Sequence, residues 1–218
     1  MARYRATDPA DGGDGRLRSP SYERNSAPII AELTPWLRAR VGPVLEIGAG
    51  TGQHAVAFSL AFPQLDWWPS DPDAIHCASI SAWQKALAAR AFGPIQLDAS
   101  ADWAAGNGVQ SLGPLTAVIS LNVIHIAPIS VADGIVAGAG QTLGPDGLLI
   151  FYGPFREHGS HTGPGNVAFD AGLRAENPQW GVRDIAEISA LAIKAGLEFA
   201  ALIALPADNR LLIFRKVL

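Results

Sequence analysis

The sequence predicts an α/β fold: a doubly wound, mostly parallel, seven-stranded sheet that ends in an antiparallel C-terminal hairpin. Three observations predict it. Short β-like apolar runs alternate with Ala-rich, helix-compatible stretches from Gly42 onward. A glycine-rich bend, Gly48-Ala49-Gly50-Thr51-Gly52, follows the first of those runs. Two strand-like runs close the chain, joined by "PADN", a connector short enough for a hairpin. Buried strands alternating with helices call for a sheet covered on both faces, and right-handed crossovers make it doubly wound.

Residues 1–25 are expected to be a flexible arm, since their opening stretch holds Pro, Gly, Asp and Arg without period. From Ser26 the spacing turns helical: Ile29, Ile30, Leu33, Trp36 and Leu37 share one face. Ser26 is the expected N-cap, Pro28 falls in the first turn, and Pro35 is expected to kink or end the helix. Residues 26–218 then form one domain. Its expected strands are 44–47, 65–69, 95–97, 115–121, 147–152, 197–205 and 211–217, with helices over 54–61, 74–91 and 131–143. A further helix is capped by Asp184, with Glu187 three residues on, and closed by Gly196. Residues 153–182, rich in Gly, Pro and His with a short helix near 167–175, are expected to form a cap over a site.

Composition narrows the function. With 218 residues, 49% hydrophobic and 17% charged, the chain has enough apolar content for a well-buried core. Its net charge of −4 gives no general attraction for phosphate backbones or anionic membranes, so neither nucleic acid nor membrane is an expected partner. Cys77 is the single cysteine, which excludes a disulfide frame and a thiolate metal cluster. The histidines His54, His76, His125, His158 and His161 form no metal-ligand pair, and no metal is expected. No leader-like segment and no bilayer-length apolar run is visible, so a soluble cytoplasmic protein is expected.

The bend is the candidate ligand site. In a doubly wound sheet, ligands sit beyond the carboxyl ends of the strands, where strand order reverses. Gly48, Gly50 and Gly52 remove side chains there and permit positive φ. Gln53 occupies the place of the third glycine of the dinucleotide fingerprint, and the Gly-Lys-Ser/Thr phosphate loop is absent. Glu46, just before the bend, would repel a pyrophosphate but suits a cation or an amine. A ligand with a sulfonium, an α-amino group, a carboxylate and an adenosine fits this combination.

The run Glu46-Ile47-Gly48-Ala49-Gly50-Thr51-Gly52 resembles the S-adenosyl-L-methionine (SAM)-binding loop of Rossmann-like (class I) methyltransferases. The resemblance extends from about Val44 to the C-terminus. It implies that Asp71, ending "LDWWPSD" and followed by Pro72, accepts hydrogen bonds from the ribose. Asp98, ending "PIQLDAS", would face the adenine amino group, with the small Ala99 against the ring. Leu121 and Asn122, after the fourth strand, would contact the methionine part. Asp71 could instead serve a turn, and Asp98 could cap a helix through Trp103. More narrowly, "SYERNSAPI", "WWPSD", "LNVIHIAP", "FYGPF", "NVAFDAGLRAENPQWGVRDI" and "LPADNRLLIFRK" resemble a family of small, uncharacterised methyltransferase-like proteins. That narrower resemblance brings fold and cofactor but no reaction.

Methyl transfer from a sulfonium neutralises charge, so alignment and exclusion of water supply much of the acceleration. His125, just beyond the fourth strand, is the candidate base, or else a histidine that bonds the loop backbone. Tyr152, ending the fifth strand, could orient an acceptor or pack on the cap. Arg24 and Asn25 are suited to closing over the cofactor carboxylate, with Arg24 as ionic partner, or they belong to a solvated arm. Arg174 and Arg183 would attract an acidic substrate if both pointed inward, whereas Phe169 and Trp180 read as core. His54 should meet solvent or the N-terminal arm. The loop Asn122-Val123-Ile124-His125 lacks the double proline used on amino groups of nucleic-acid bases. The expected function is therefore a SAM-dependent methyltransferase for a small molecule; a SAM-binding protein without turnover is the alternative. Gln53 and Glu46 argue against a nicotinamide-dependent oxidoreductase.

Overall fold

The computed structural model describes residues 13–89, 92–106 and 108–217. In chain order its elements are α1 (Pro20–Leu37), β1 (Gly42–Ile47), α2 (Gln53–Ala61), β2 (Leu65–Asp71), α3 (Ala74–Ala86), β3 (Ile95–Gln96), β4 (Leu115–Leu121), α4 (Ile129–Thr142), β5 (Leu143–Glu157), β6 (Ser160–His161), α5 (Pro164–Glu176), β7 (Arg183–Asp184), α6 (Ile185–Lys194), β8 (Leu197–Leu205) and β9 (Asn209–Lys216). The sheet runs β3-β2-β1-β4-β5-β9-β8. β1 to β5 are mutually parallel, and β9 lies antiparallel to both β5 and β8. The short β6 and β7 pair with the far end of β5. The expected mixed sheet with its terminal hairpin is what the chain forms.

Alternation along the strands feeds two cores. Val44, Ala117, Ile119, Leu148 and Ile150 meet Ile29, Leu33 and Leu37 of α1, with Phe58 of α2 and Ile80 of α3. On the other face Leu45, Val118, Leu149, Phe151 and Phe214 meet Val131, Ile135 and Ala139 of α4 and Ile188 of α6. Continuous apolar strands with two buried faces are what a parallel sheet demands.

Four local readings change. First, α1 begins at Pro20, with Ser19 as N-cap residue, so residues 20–25 are helical rather than part of an arm. Pro20 suits a first turn because its missing N–H would have no partner there. Ser26 is buried inside the helix, not its cap, and Pro28 and Pro35 are both interior. Pro28 deprives the Arg24 carbonyl of its helical donor, yet packing of Ile29, Leu33 and Leu37 carries the helix past both prolines. Second, β5 continues to Glu157, because β9 pairs with it through Gly153 and Pro154, and β6 and β7 pair with Phe155 to Glu157. Third, α5 is longer than the expected 167–175. Fourth, α3 stops at Ala86, short of the expected 91; residues 90 and 91 lie outside the described ones. Asp184 caps α6 as expected, its Oδ1 accepting from the Ala186 N–H at 2.9 Å.

Candidate functional site

β1 lies between β2 and β4, and the chain passes from β1 to β2 on one side before returning to β4 on the other. The carboxyl ends of β1 and β4 therefore form the topological switch point, and the glycine bend sits on it. Gly48, Gly50 and Gly52 have φ of +73°, +56° and +87°. Their surroundings differ. A Cβ on Gly48 would collide with the Val123 side chain, and one on Gly52 would lie 2.7 Å from the Ile80 Cα of α3. A Cβ on Gly50 would meet nothing within 4 Å. Gly48 and Gly52 thus serve packing, and Gly50 offers bare backbone to open space. Ala49 anchors the bend, its N–H donating to Ser70 O at 2.9 Å.

Asp71 braces this bend. Its Oδ2 accepts from the Gly50 N–H at 2.9 Å, and its Oδ1 receives the Asp73 N–H and pairs with His76 Nδ1, each at 3.0 Å. Carboxylate oxygens have two lone pairs each, so Oδ2 retains acceptor capacity. Pro72, which follows, is exposed and accepts from Gln96 Nε2 at 3.2 Å. Asp98 stands two residues beyond Gln96, the register partner of Asp71, so the two acids end adjacent strands. Its Oδ1 takes both the Ser100 N–H and hydroxyl at 2.9 and 2.7 Å, which holds the acid below its ordinary pKa. Its Oδ2 has no partner among the described residues. No helix runs through Trp103, so Asp98 caps a turn instead. Ala99 is buried behind it, against Gly134 of α4.

Glu46 is placed differently from its sequence reading. It is 1% exposed and faces the core beneath the bend, where the Trp67 indole N–H donates to its Oε2 at 2.7 Å. Burial pushes its pKa up to about 7; the Trp67 bond opposes this and the Asp71 charge adds to it. Trp67→Phe keeps the ring stacked among Phe58 and Phe62 but strands the carboxyl. The expected cost is about 1–3 kcal/mol, read by chemical denaturation.

The segment before α1 was legible in sequence only as an arm, but its described residues 13–19 are tied down. Ser19 donates its N–H to Gln53 Oε1 at 2.6 Å, and Leu17 donates to Ser79 Oγ at 2.9 Å. Trp83 Nε1 donates to Leu17 O at 2.8 Å, and the Arg16 guanidinium lies 4.7 Å above that indole. Gln53, the residue that breaks the dinucleotide fingerprint, is thus the anchor of this strap. Arg24 is exposed and Asn25 half-buried on the following helix. Burial pushes the Tyr152 phenol up to about 12, against the nearby Arg24 charge and a hydrogen bond with Asn209, so it stays protonated. His54 packs edge-on to Tyr22 of α1 at 5.2 Å, and burial pushes it down to about 4.

Across the crevice, Leu121 is buried and Asn122 turns back with φ +57°, its N–H donating to Tyr152 O at 2.8 Å. His125 is 3% exposed. Its ring lies over Gly153, where an added Cβ would be 3.0 Å from Cε1, and Phe169 of α5 meets it edge-on at 5.6 Å. Among the described residues neither ring nitrogen is hydrogen-bonded; the expected bond to loop backbone is absent. Burial, then the Arg183 charge, push it down to about 3. His125 is therefore a neutral, weak base in this closed arrangement.

Arg183 does not face a substrate. It donates to Ile124 O, Ala127 O and Gln179 O at 3.0, 2.6 and 2.9 Å. Arg174 pairs with Asp170 at 3.1 Å. Trp180 is buried as expected, but Phe169 is 42% exposed, a cover rather than core.

Two surface depressions, of about 470 and 330 Å³, lie elsewhere: one at the amino ends of β4 and β5, the other between α4 and α6. Neither reaches the bend, which is marked by topology and donor set. Among the described residues no group of three or more His, Cys, Asp or Glu is arranged to hold a metal, and no helix is long and apolar enough to cross a membrane.

Known proteins share this architecture. Residues 16–216 match the family described as "Protein of unknown function (DUF938)". An O-methyltransferase family protein from Burkholderia thailandensis superimposes with a TM-score of 0.73 at 16% identity, over 90% of this chain and 57% of that one. Human N-acetylserotonin methyltransferase, in complex with SAM, gives 0.71 at 13% identity, over 91% of this chain and 53% of that one. Magnesium protoporphyrin IX methyltransferase from Synechocystis PCC 6803, with bound SAH, gives 0.64 at 16% identity, over 89% and 83%. The chain thus spans little more than half the length of the first two. At these identities the likeness shows the fold, that of class I SAM-dependent methyltransferases.

Proposed function

The chain belongs to the DUF938 family, and from that premise we propose that it is a SAM-dependent methyltransferase acting on a small-molecule acceptor. Gly50 carries this reading: a positive-φ residue on the switch point, bare toward open space, its N–H held by a strand-tip acid. The donor set fits the cofactor. The remaining acceptor capacity of Asp71 suits a ribose hydroxyl, and the Oδ2 of Asp98, without a partner among the described residues, suits an exocyclic amine. Arg24, exposed on α1 near Tyr152, is the cation for a carboxylate, with Asn25 beside it. Leu121 and Asn122 flank the methionine part. Glu46 adds negative potential from below without touching the ligand.

When bound, SAM supplies a methyl group on a sulfonium cation. The chain's own task is to align the acceptor and exclude water. Tyr152 remains a hydrogen-bond donor at neutral pH. His125 is so weak a base that it favours orientation of the acceptor over removal of its proton.

Isothermal titration is expected to show binding of SAM and S-adenosylhomocysteine (SAH), and none of NAD; binding of NAD alone would overturn the reading. Asp71→Ala is expected to weaken SAM binding at least tenfold, about 1.4 kcal/mol, in a variant whose circular dichroism matches wild type. Unchanged affinity would remove the ribose role. The burial of His125 beneath Phe169 favours a second reading, binding without turnover. Incubation of metabolite extract with methyl-labelled SAM separates the two: a labelled product supports the enzyme, and its absence across the extract supports the sensor.

A further inference from the structure

The carboxylate of Asp71 is held by its neighbours at the tip of β2. Its Oδ2 accepts the Gly50 N–H at 2.9 Å, and its Oδ1 meets both the Asp73 N–H and His76 Nδ1 at 3.0 Å. Asp71 is 5% exposed and His76 is 6%, so solvent barely competes for this pair. An ionised carboxyl only accepts, which makes Nδ1 the protonated nitrogen of the imidazole.

The build of α3 carries His76 to this acid. Asp73 caps the helix, its Oδ1 accepting the Ile75 N–H at 2.8 Å. His76, Ser79, Ile80 and Trp83 then fall at i, i+3, i+4 and i+7, which is one face of a helix. That face is fastened to the glycine bend and to the strap. Ser79 Oγ donates to Thr51 O at 2.8 Å, the Ile80 backbone packs on Gly52, and Trp83 donates to Leu17 O at 2.8 Å. The imidazole therefore stands on a rigid support that is itself joined to the site.

The lone pairs give the consequence. The two oxygens of a carboxylate offer about four acceptor positions. Among the described residues, the Gly50 N–H takes one on Oδ2, and the Asp73 N–H and His76 take both on Oδ1. The position left open is on Oδ2, beside the bare backbone of Gly50. A ribose presents two adjacent hydroxyls, and an unencumbered carboxylate can accept from both, one on each oxygen. Asp71 is built otherwise. The Asp73 N–H alone would leave room on Oδ1, and His76 fills it; among the described residues, no other side chain bonds this carboxylate.

Resting on the methyltransferase reading, we propose that His76 is a positioning residue for the cofactor: it occupies the last acceptor position on Oδ1 and fixes the Asp71 carboxylate so that the ribose is gripped through a single hydroxyl, on Oδ2. A histidine that served only to satisfy its own burial would act on stability alone and would create no bias between the two hydroxyls.

The test is isothermal titration of the full chain with SAH and with its 2′-deoxy and 3′-deoxy analogues. Wild type is expected to lose about tenfold or more in affinity for one analogue and no more than about twofold for the other. His76→Leu frees a position on Oδ1, so the ratio between the two analogues should fall below about threefold, with SAH itself bound more weakly. His76→Asn places an amide N–H where Nδ1 stands and should keep the wild-type ratio. His76→Gln, whose amide lies a methylene further out, should behave as His76→Leu does, and it replaces that variant if the leucine chain fails to fold. A loss of stability alone leaves these ratios untouched, because each compares two ligands of the same folded protein. Equal losses for the two analogues in wild type overturn the proposal, and so does a wild-type ratio in His76→Leu or His76→Gln. Those results, obtained with SAH binding intact, leave the cofactor reading standing. A wild-type chain that binds no SAH overturns that reading and the role of His76 with it.

Discussion

Gly52→Ala is expected to destabilise the protein by about 3 kcal/mol or more, whereas Gly50→Ala costs only about 1–2 kcal/mol and acts chiefly on ligand affinity. Both residues have positive φ, so each substitution carries the strain of an L side chain in a left-handed conformation. At Gly52 a collision is added, because the new Cβ meets backbone, the Ile80 Cα at 2.7 Å, and backbone of a packed helix cannot swing aside. At Gly50 there is no collision, since nothing lies within 4 Å. The methyl group would instead occupy the space that bare backbone keeps open for the cofactor. Urea denaturation with an unchanged m-value reads the first effect, and SAM titration the second. If Gly50→Ala bound SAM as tightly as wild type, the bend would not be where the cofactor sits.

The second large effect is on pH dependence. His54 and His125 ordinarily titrate near 6.5 and are pushed down to about 4 and about 3 by burial. The folded protein keeps them neutral, so their contribution is complete above pH 6.5 and is lost as pH falls toward the folded values. Each histidine tilts stability by about 1.4 kcal/mol per pH unit across that window. Glu46 runs the other way, because its pKa rises from 4.5 to about 7. Its contribution is complete below pH 4.5 and is lost as pH climbs to about 7. Between pH 4.5 and 6.5 two groups favour the fold with rising pH and one opposes them, leaving a net rise of about 1.4 kcal/mol per unit and a maximum near pH 6.5. Glu46→Gln removes the opposing slope. Its acid limb should be about twice as steep, and its decline between pH 6.5 and 7 should vanish. Denaturation midpoints of both proteins from pH 4.5 to 8 check this, and equal slopes would show that Glu46 titrates as an ordinary carboxylate.

Legibility from sequence followed the range of the forces involved. The strands Leu115–Leu121 and Leu197–Leu205 are bounded where expected, since apolar runs framed by turn residues need no further information. The strand-tip acids Asp71 and Asp98 were legible because they end such runs. The far half of β5 was not, because Gly153 and Pro154 read locally as breakers while pairing with β9 overrides them. The early start of α1 was hidden by its prolines. The Trp67 partner of Glu46, 21 residues away, and the burial of His125 under Phe169 depend on tertiary neighbours that no local pattern carries.

Arg183 has a consequence for re-engineering. One guanidinium clamps the turn after β4 to the segment that follows α5, through the carbonyls of Ile124, Ala127 and Gln179. The two are a single mechanical part. A chimera that exchanged residues 153–183 for a stretch of a relative without this arginine, in order to alter substrate preference, would leave the Ile124 and Ala127 carbonyls without their clamp. The graft has to carry residues 122–127 with it.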